Sequence, residues 1–124
     1  MSLTHLTVVS IPVSDQERAK QFYAEVLGFE VVTDAPMGPD QRWIQLKPAG
    51  SDTTITLVTW FDTMPAGSLR GLVLGTTDID ADYFALDVKG LTFHGPVKKE
   101  SWGTFATFDD PDGNGWVLSQ ISAD

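Results

Sequence analysis

The strongest constraint on this 124-residue chain is that its second half repeats the pattern of its first. Asp15 and Asp78 each precede a segment with helical spacing, and 63 positions separate them. Each segment is followed by a glycine, Gly28 in the first half and Gly90 in the second, and glycine is a common residue just past a helix end. A period of half the chain, present in two copies, excludes a solenoid and favours two fused units of one topology.

A turn is repeated as well. Asp-Pro-Asp-Gly-Asn at residues 110–114 lies between two segments rich in aromatic and β-branched residues, 102–108 and 116–121. Pro-Ala-Gly-Ser-Asp at 48–52 is a weaker copy, and Pro48 precedes Pro111 by 63 positions. Proline pre-sets one turn dihedral, and glycine and asparagine tolerate positive φ. Both segments therefore predict a turn between antiparallel strands.

The predicted order in each unit is strand, helix and three strands. In the first unit, strands are predicted at 3–13, 29–33, 42–47 and 53–60, a helix at about 15–27 and a loop at 34–41. In the second, strands are predicted at 69–75, 91–94, 102–108 and 116–121, a helix at 79–89 and a loop at 95–101. The predicted fold class is α+β: two tandem βαβββ units, at about 1–62 and 63–124, whose curled mixed sheets enclose a cleft.

The helices carry further predictions. Ser14 and Glu17 have the spacing of a capping box, so Ser14 is the expected N-cap of the first helix. Thr77 or Asp78 is expected to cap the second. An apolar face is predicted for each helix, by Ala19, Phe22, Tyr23, Val26 and Leu27 in the first and by Ala81, Phe84, Ala85 and Val88 in the second.

Composition excludes several classes of function. Seventeen acidic against eight basic residues give a net charge of −9, which argues against binding of nucleic-acid phosphates. No apolar run approaches the roughly 18 residues of a membrane span. The absence of cysteine excludes disulfides, thiolate metal ligands and a cysteine nucleophile. The N-terminus lacks a signal-peptide pattern, which predicts a cytoplasmic protein.

Several motifs together identify a family. They are Val-Ser-Asp at 13–15, Phe-Tyr at 22–23, Leu-Gly-Phe-Glu at 27–30, Trp-Gly at 102–103 and the turn at 110–114. With the paired βαβββ pattern, they resemble the vicinal oxygen chelate superfamily, which includes glyoxalase I, bleomycin-resistance proteins and extradiol dioxygenases. The resemblance covers nearly the whole chain and implies the fold. It leaves function open, because this fold hosts isomerases, lyases, dioxygenases and pure binding proteins.

Metal-using members of that family place His, Gln or Glu ligands on the first and last strands of each half. The resemblance maps those positions to Val8, Thr56, Gly71 and Val117. Valine and glycine side chains have no donor atom for a divalent cation. A one-residue shift brings no better ligands, so the expectation is no bound metal and no cofactor.

Only two histidines are available for acid–base chemistry. His5 lies near the terminus and is interpreted as structural or solvent-facing. His94 ends a predicted strand and is the single candidate catalytic residue, as a general acid or base at the cleft rim; the alternative is a polar edge residue. Neither a nucleophile-elbow serine motif nor a phosphate-binding glycine loop is present. Asp78 and Asp80 are interpreted as helix-start residues, and Asp109, Asp110 and Asp112 as turn residues.

The period of two along a strand assigns the faces of the predicted sheets. The residues expected to face the helices are Ile44, Leu46, Ile55, Leu57, Leu72, Leu74, Phe108, Trp116 and Leu118. The residues expected to bind a ligand on the opposite, cleft side are Ser10, Trp43, Gln45, Thr56, Trp60, Trp102, Phe105 and Ser119. Aromatic walls with a few neutral polar groups suit a small apolar or aromatic molecule. The alternative is that these side chains pack the cleft shut.

The prediction for function is a binding or sequestering protein of the bleomycin-resistance type, without metal. The alternatives are a metal-dependent lyase or isomerase of the glyoxalase I type, a ring-cleaving dioxygenase, or a metal-free enzyme that uses His94 or a cleft hydroxyl. The resemblance also implies a homodimer in which the partner completes each cleft. The partners expected are therefore a small molecule and a second copy of the chain, with no nucleic acid and no membrane.

Overall fold

Each half of the chain folds as a strand, a helix and three further strands, as predicted. The computed structural model describes residues 1–121. The first unit contains β1 (Val8–Pro12), α1 (Gln16–Gln21) continued by a π-helical segment (Phe22–Val26), β2 (Glu30–Pro36), β3 (Arg42–Lys47) and β4 (Thr54–Val58). The second contains β5 (Leu72–Gly75), α2 (Ile79–Val88), β6 (Lys98–Glu100), β7 (Gly103–Asp109) and β8 (Gly115–Ile121). Within residues 1–121, no helix is both long and apolar enough to cross a membrane.

The two units have the same sheet topology. Their strand orders are β1-β4-β3-β2 and β5-β8-β7-β6. The first strand of each unit pairs in parallel with the last, and the other pairs are antiparallel. The α+β class and the two βαβββ units are therefore confirmed. Each sheet stays open, with β1 and β5 as edge strands.

One core joins the units, and the predicted assignment of the sheet faces is confirmed. Of the side chains expected to face the helices, Ile44, Leu46, Ile55, Leu57, Phe108, Trp116 and Leu118 are buried, and Leu72 and Leu74 pack against them half-buried. Trp116 lies at the boundary between the units, with its ring centroid 5.9 Å from that of Tyr23 and 6.2 Å from that of Phe29. The helix-facing sides of both sheets thus share one core.

The N-cap of α1 is Asp15, so the prediction of Ser14 was wrong. The Asp15 Oδ1 atom accepts a hydrogen bond from the backbone N–H of Arg18 at 3.1 Å. The backbone N–H and the hydroxyl of Ser14 instead donate to the carboxylate of Asp112, in the turn of the other unit. A tertiary contact has taken the group that would otherwise cap the helix. The predicted cap of α2 at Asp78 is confirmed, since its carboxylate accepts from the N–H of Ala81 at 3.2 Å.

The predicted buried face of α2 was wrong. Phe84 and Val88 are 69% and 70% exposed, and Ala81 and Ala85 are exposed too. The side of α2 that meets the sheet carries Ile79, which is buried, with Tyr83 and Leu86 half-buried.

The two helices also differ in length by one residue. Their N-caps are 63 positions apart, whereas Gly28 and Gly90, at their ends, are 62 apart. The π-helical segment accounts for the difference, because a π-turn holds one more residue than an α-turn; Leu27 N–H donates to Phe22 C=O, five residues back. Aligned at 63, the buried Tyr23 corresponds to Leu86, and Phe84 has no buried counterpart.

Several strand boundaries also differ from prediction. The predicted strand 91–94 forms only an isolated bridge between Phe93 and Phe108, and β6 lies in the predicted loop. Leu91 is buried and Phe93 packs against the core. The apolar residues at 91–94 therefore indicate burial and not strand pairing. β2 continues to Pro36, into the predicted loop 34–41, and β1 begins only at Val8.

Candidate functional site

The Asp-Pro-Asp-Gly-Asn turn is the buried hydrogen-bonding centre of the molecule. Asp110 is 5% exposed and Asn114 is fully buried. The Asp110 Oδ2 atom accepts from Tyr23 Oη at 2.7 Å and from Asn114 Nδ2 at 2.8 Å, and Trp116 Nε1 donates to Tyr23 Oη at 3.0 Å. Burial, followed by the negative charge of Asp110, raises the pKa of Tyr23 far above its usual value. Tyr23 is therefore a permanent donor to Asp110.

This turn also fixes the position of one unit against the other. Asn114 Nδ2 donates to the carbonyl of Pro12 in the first unit at 2.8 Å, and its Oδ1 accepts from Leu69 N–H at 3.1 Å. The Gly67 backbone passes so close that an added Cβ would lie 2.0 Å from the carbonyl oxygen of Asp112. The prediction of turn residues was right in position, but the sequence did not show that Asp110 and Asn114 are buried. Their role is structural.

The first candidate surface is the side of the first sheet turned away from α1, called below the first-unit face. Strand register places Ser10 beside Thr56 and Thr56 beside Gln45. Trp43 Nε1 donates to Gln45 Oε1 at 3.0 Å, and Gln45 Nε2 donates to Thr54 Oγ1 at 2.9 Å. This chain of hydrogen bonds holds the indole and the amide in place.

Thr56 differs from its neighbours on the first-unit face. It is 1% exposed, and its hydroxyl has no hydrogen-bond partner among residues 1–121. A buried hydroxyl without a partner is destabilising, by about 1–3 kcal/mol. The hydroxyl is therefore buried within the first-unit face and not on its surface. Trp60 lies beyond the end of β4, half-buried, so its predicted place in a strand was wrong.

The second candidate surface is the side of the second sheet turned away from α2, called below the second-unit face. Phe105 and Ser119 are register partners on β7 and β8. Trp102 stacks on Phe105, with 5.3 Å between ring centroids and 17° between planes, although Trp102 is 54% exposed. The structure thus brings three of the predicted residues together on this face.

A single chain does not bring the two faces together. No described pocket within residues 1–121 is lined by candidate residues of both units. Two pockets of about 280 and 320 Å³ lie at the unit boundary instead, and neither contains a residue predicted to bind ligand. Pro48, Phe29 and Leu74 line both. These pockets were missed because they depend on how the two units pack.

The positions that correspond to family metal ligands offer little to a metal ion. Val8, Gly71 and Val117 have no donor atoms in their side chains, and the Thr56 hydroxyl is buried. Within residues 1–121, no three or more His, Asp or Glu side chains are grouped so that they could hold a metal ion. At the four positions to which the resemblance maps the family's metal ligands, the side chains therefore offer at most one oxygen atom.

His94 lies on the second-unit face. Its Nδ1 atom is 2.9 Å from Thr107 Oγ1, and its Nε2 atom is 3.3 Å from Asp109 Oδ2. The histidine and aspartate side chains are 52% and 43% exposed. Arg70, Gly71 and Val117 join them around an open pocket of about 340 Å³. Asp109 was predicted only as a turn residue. Its alternation with Phe105 along β7 was the signal that could have placed it on this face.

The main ionic cluster lies away from both faces. Asp34 Oδ2 is 2.6 Å from Lys20 Nζ and 2.6 Å from Arg42 Nη2. The Arg42 and Lys20 hydrogen bonds lower the pKa of Asp34 to about 2. Asp34 is the register partner of the core residue Ile44, so this cluster belongs to the α1 side of the sheet. It stabilises the first unit.

Comparisons with known proteins agree with this architecture. Residues 2–118 match the model of the Glyoxalase/Bleomycin resistance protein/Dioxygenase superfamily. The chain is 35% identical over 121 residues to the uncharacterized protein YetH of Bacillus subtilis (strain 168), covering 95% of this chain and 99% of that protein.

Two solved structures are similar over nearly their full length. TnmS3, an antibiotic binding protein from Streptomyces sp. CB03234, is 51% identical with a TM-score of 0.91, over 98% of this chain and 99% of that one. A superfamily member from Sphaerobacter thermophilus DSM 20745 is 35% identical with a TM-score of 0.87, over 97% of this chain and 99% of that one.

Proposed function

This chain belongs to the Glyoxalase/Bleomycin resistance protein/Dioxygenase superfamily, and we propose that within it the protein binds a small apolar or aromatic molecule without metal. The observation that carries the proposal is the first-unit face. There, hydrogen bonds fix the half-buried side chains of Trp43 and Gln45. Apolar and aromatic side chains with a few oriented polar groups are typical of the lining of small-molecule sites.

Similarity supports a binding role. The antibiotic binding protein TnmS3 is 51% identical to this chain over almost its whole length. The absence of metal-ligating side chains at Val8, Gly71 and Val117 argues against the metal-dependent lyase, isomerase and dioxygenase activities of the superfamily. We propose sequestration rather than turnover, in the cytoplasm.

We also propose that the binding protein is a homodimer. The helix-facing sides of both sheets share one core around Trp116, so the first-unit and second-unit faces point away from it. One chain therefore supplies two half-sites rather than one closed cleft. A second copy that set its second-unit face against the first-unit face would bring Trp43 and Trp60 opposite Trp102 and Phe105. Light scattering at micromolar concentration tests this: a monomer would contradict it.

Thermal denaturation with a panel of flat aromatic compounds tests binding. A ligand at a hundredfold excess over its Kd stabilises the folded protein by about 2.7 kcal/mol. Chromatography of the incubated compound separates the alternatives, because a binding protein returns it unchanged. Consumption of the compound would favour an enzyme. If the His94→Gln variant no longer consumed the compound, the chemistry would be assigned to that residue. Stoichiometric uptake of zinc, nickel, manganese or iron would restore the metal-dependent alternative.

Trp60 is the residue most suited to a test of affinity. It is half-buried and lies outside the core, so Trp60→Ala should leave the fold intact. We expect ligand affinity to fall by about 1–3 kcal/mol, because rigid aromatic side chains dominate such contacts. Val32→Ala, at an exposed position, is the control and should leave affinity unchanged.

A further inference from the structure

The pocket around His94 contains a group of side chains that the binding of an apolar molecule does not use. Strand alternation puts Thr107 and Asp109 on the same side of β7 as Phe105. The His94 ring lies over both residues, held by the contact between Nδ1 and Thr107 Oγ1. The Asp109 Oδ2 atom is 3.3 Å from His94 Nε2, and the aspartate side chain is 43% exposed. The carboxylate is thus fixed beside the ring and open to an external donor.

The rest of the pocket suits a flat ring. Gly71 and Val117 present no polar side-chain atom, and nothing lies within 4 Å of where a Cβ on Gly71 would be. Arg70 is anchored, since its Nη1 atom donates to the carbonyls of Gly67 and Leu69, each at 3.0 Å. An anchored guanidinium offers a planar cationic surface against which an aromatic ring stacks favourably.

We infer that this pocket is a subsite for a hydroxylated aromatic ring, in which the ring stacks on Arg70 over Val117 and its hydroxyl donates to Asp109. The inference rests on the proposed function and deepens it, because it specifies an aromatic ligand that carries a hydroxyl group. The face of the ligand ring stacks on Arg70, and the hydroxyl at the edge of the ring donates a hydrogen bond to the Asp109 carboxylate. His94 is a positioning residue that keeps the carboxylate at the pocket edge.

A matched pair of probes tests the subsite, 2-naphthol and 2-methoxynaphthalene, which differ in the ability to donate a hydrogen bond. Binding is measured by fluorescence titration of the full-length protein. A hydrogen bond to a charged acceptor gives an expected preference of about tenfold for 2-naphthol. Asp109→Ala should bring the ratio of the two affinities close to one. Asp80→Ala, which removes the same charge from an exposed position on α2, should leave it unchanged.

Each outcome separates the two levels of the proposal. Equal affinity of the wild-type protein for both probes would overturn the subsite while supporting an apolar site. A preference that survives in Asp109→Ala would also overturn it. Failure of both probes to bind would contradict the proposed function itself. Circular dichroism of both variants verifies that they are folded.

Discussion

The two units share a topology but distribute their polar groups differently. In the first unit, α1 is tied to its sheet by polar contacts: the Gln16 side chain bonds to the backbone of Arg42 and to the carbonyl of Leu57. In the second unit, α2 buries only Ile79 fully and exposes Phe84. The first-unit face carries the uncharged side chains of Trp43 and Gln45 with Lys47 at the end of the same strand, whereas the second-unit face carries His94 and Asp109. A sequence repeat thus preserved the backbone, while each copy acquired its own surface chemistry.

The largest effect should come from the core residue at the unit boundary. Trp116→Ala removes the ring that packs against Tyr23 and Phe29 and should lower the free energy of unfolding by about 3–5 kcal/mol. Urea denaturation measures the change. Trp102→Ala, at a side chain that is 54% exposed, is the control and should cost less than about 1 kcal/mol. The reverse order would mean that the sheet faces are inverted.

Substitutions in the turn at 110–114 and in its first-unit copy at 48–52 should differ almost as much in their effect on stability. Asp110→Ala leaves the Tyr23 hydroxyl and an Asn114 donor without their acceptor, and we expect a loss of about 2–4 kcal/mol. Asp52→Ala, at the exposed end of the first-unit copy of the turn, should change stability by less than about 0.5 kcal/mol. Chemical denaturation of both variants at neutral pH compares them directly. Equal losses would contradict this prediction, because they would show that both turns contribute equally to stability.

The ion cluster of the first unit should appear as a pH dependence of stability. Because the folded-state pKa of Asp34 is lowered to about 2 from 3.8, its contribution is complete above pH 4 and declines as the pH falls towards 2. At pH 7, Asp34→Asn should cost up to about 1 kcal/mol, typical of exposed ion pairs. Denaturation from pH 7 to pH 2 should show this difference shrinking to nothing. Asp40→Asn is the control, and a constant difference across the range would contradict the assignment.

The smallest effect on stability should come from the exposed side of α2, compared with the side that meets the core. Phe84→Ser on α2 should change stability by less than about 0.5 kcal/mol, because the ring is exposed in the single chain. Leu86→Ala, on the side that meets the core, should cost more, about 1–2 kcal/mol, less than a fully buried leucine. Thermal denaturation at two protein concentrations measures both. A large loss in Phe84→Ser that depends on concentration would show that the dimer interface covers this helix.

Sequence reasoning succeeded where one local pattern determined the outcome. Period-two alternation placed Ile44, Leu57 and Trp116 in the core, and all three are buried. It failed where residues far apart in sequence compete for one group. Ser14 had the pattern of an N-cap, but its hydroxyl bonds to Asp112, 98 residues away.

The prediction for the face of α2 failed for a different reason. Helical spacing groups Ala81, Phe84, Ala85 and Val88 on one side of the helix, but it does not determine which side meets the sheet. The candidate site shows the same division. Trp43, Gln45 and Thr56 could be assigned to one face of one sheet from alternation alone, whereas the contacts of His94 with Thr107 and Asp109 required coordinates.

The sequence by itself determined the family, the two-unit topology and which side of each strand faces the core, because these depend on local spacing and on a repeat within the chain. Tertiary structure alone decided that Asp110 and Asn114 are the buried junction between the units. It also decided that the helix-facing sides of both sheets share one core around Trp116. The physical reason is that burial and hydrogen-bond partners belong to groups brought together from distant parts of the chain, and no periodicity along the sequence encodes which distant groups meet.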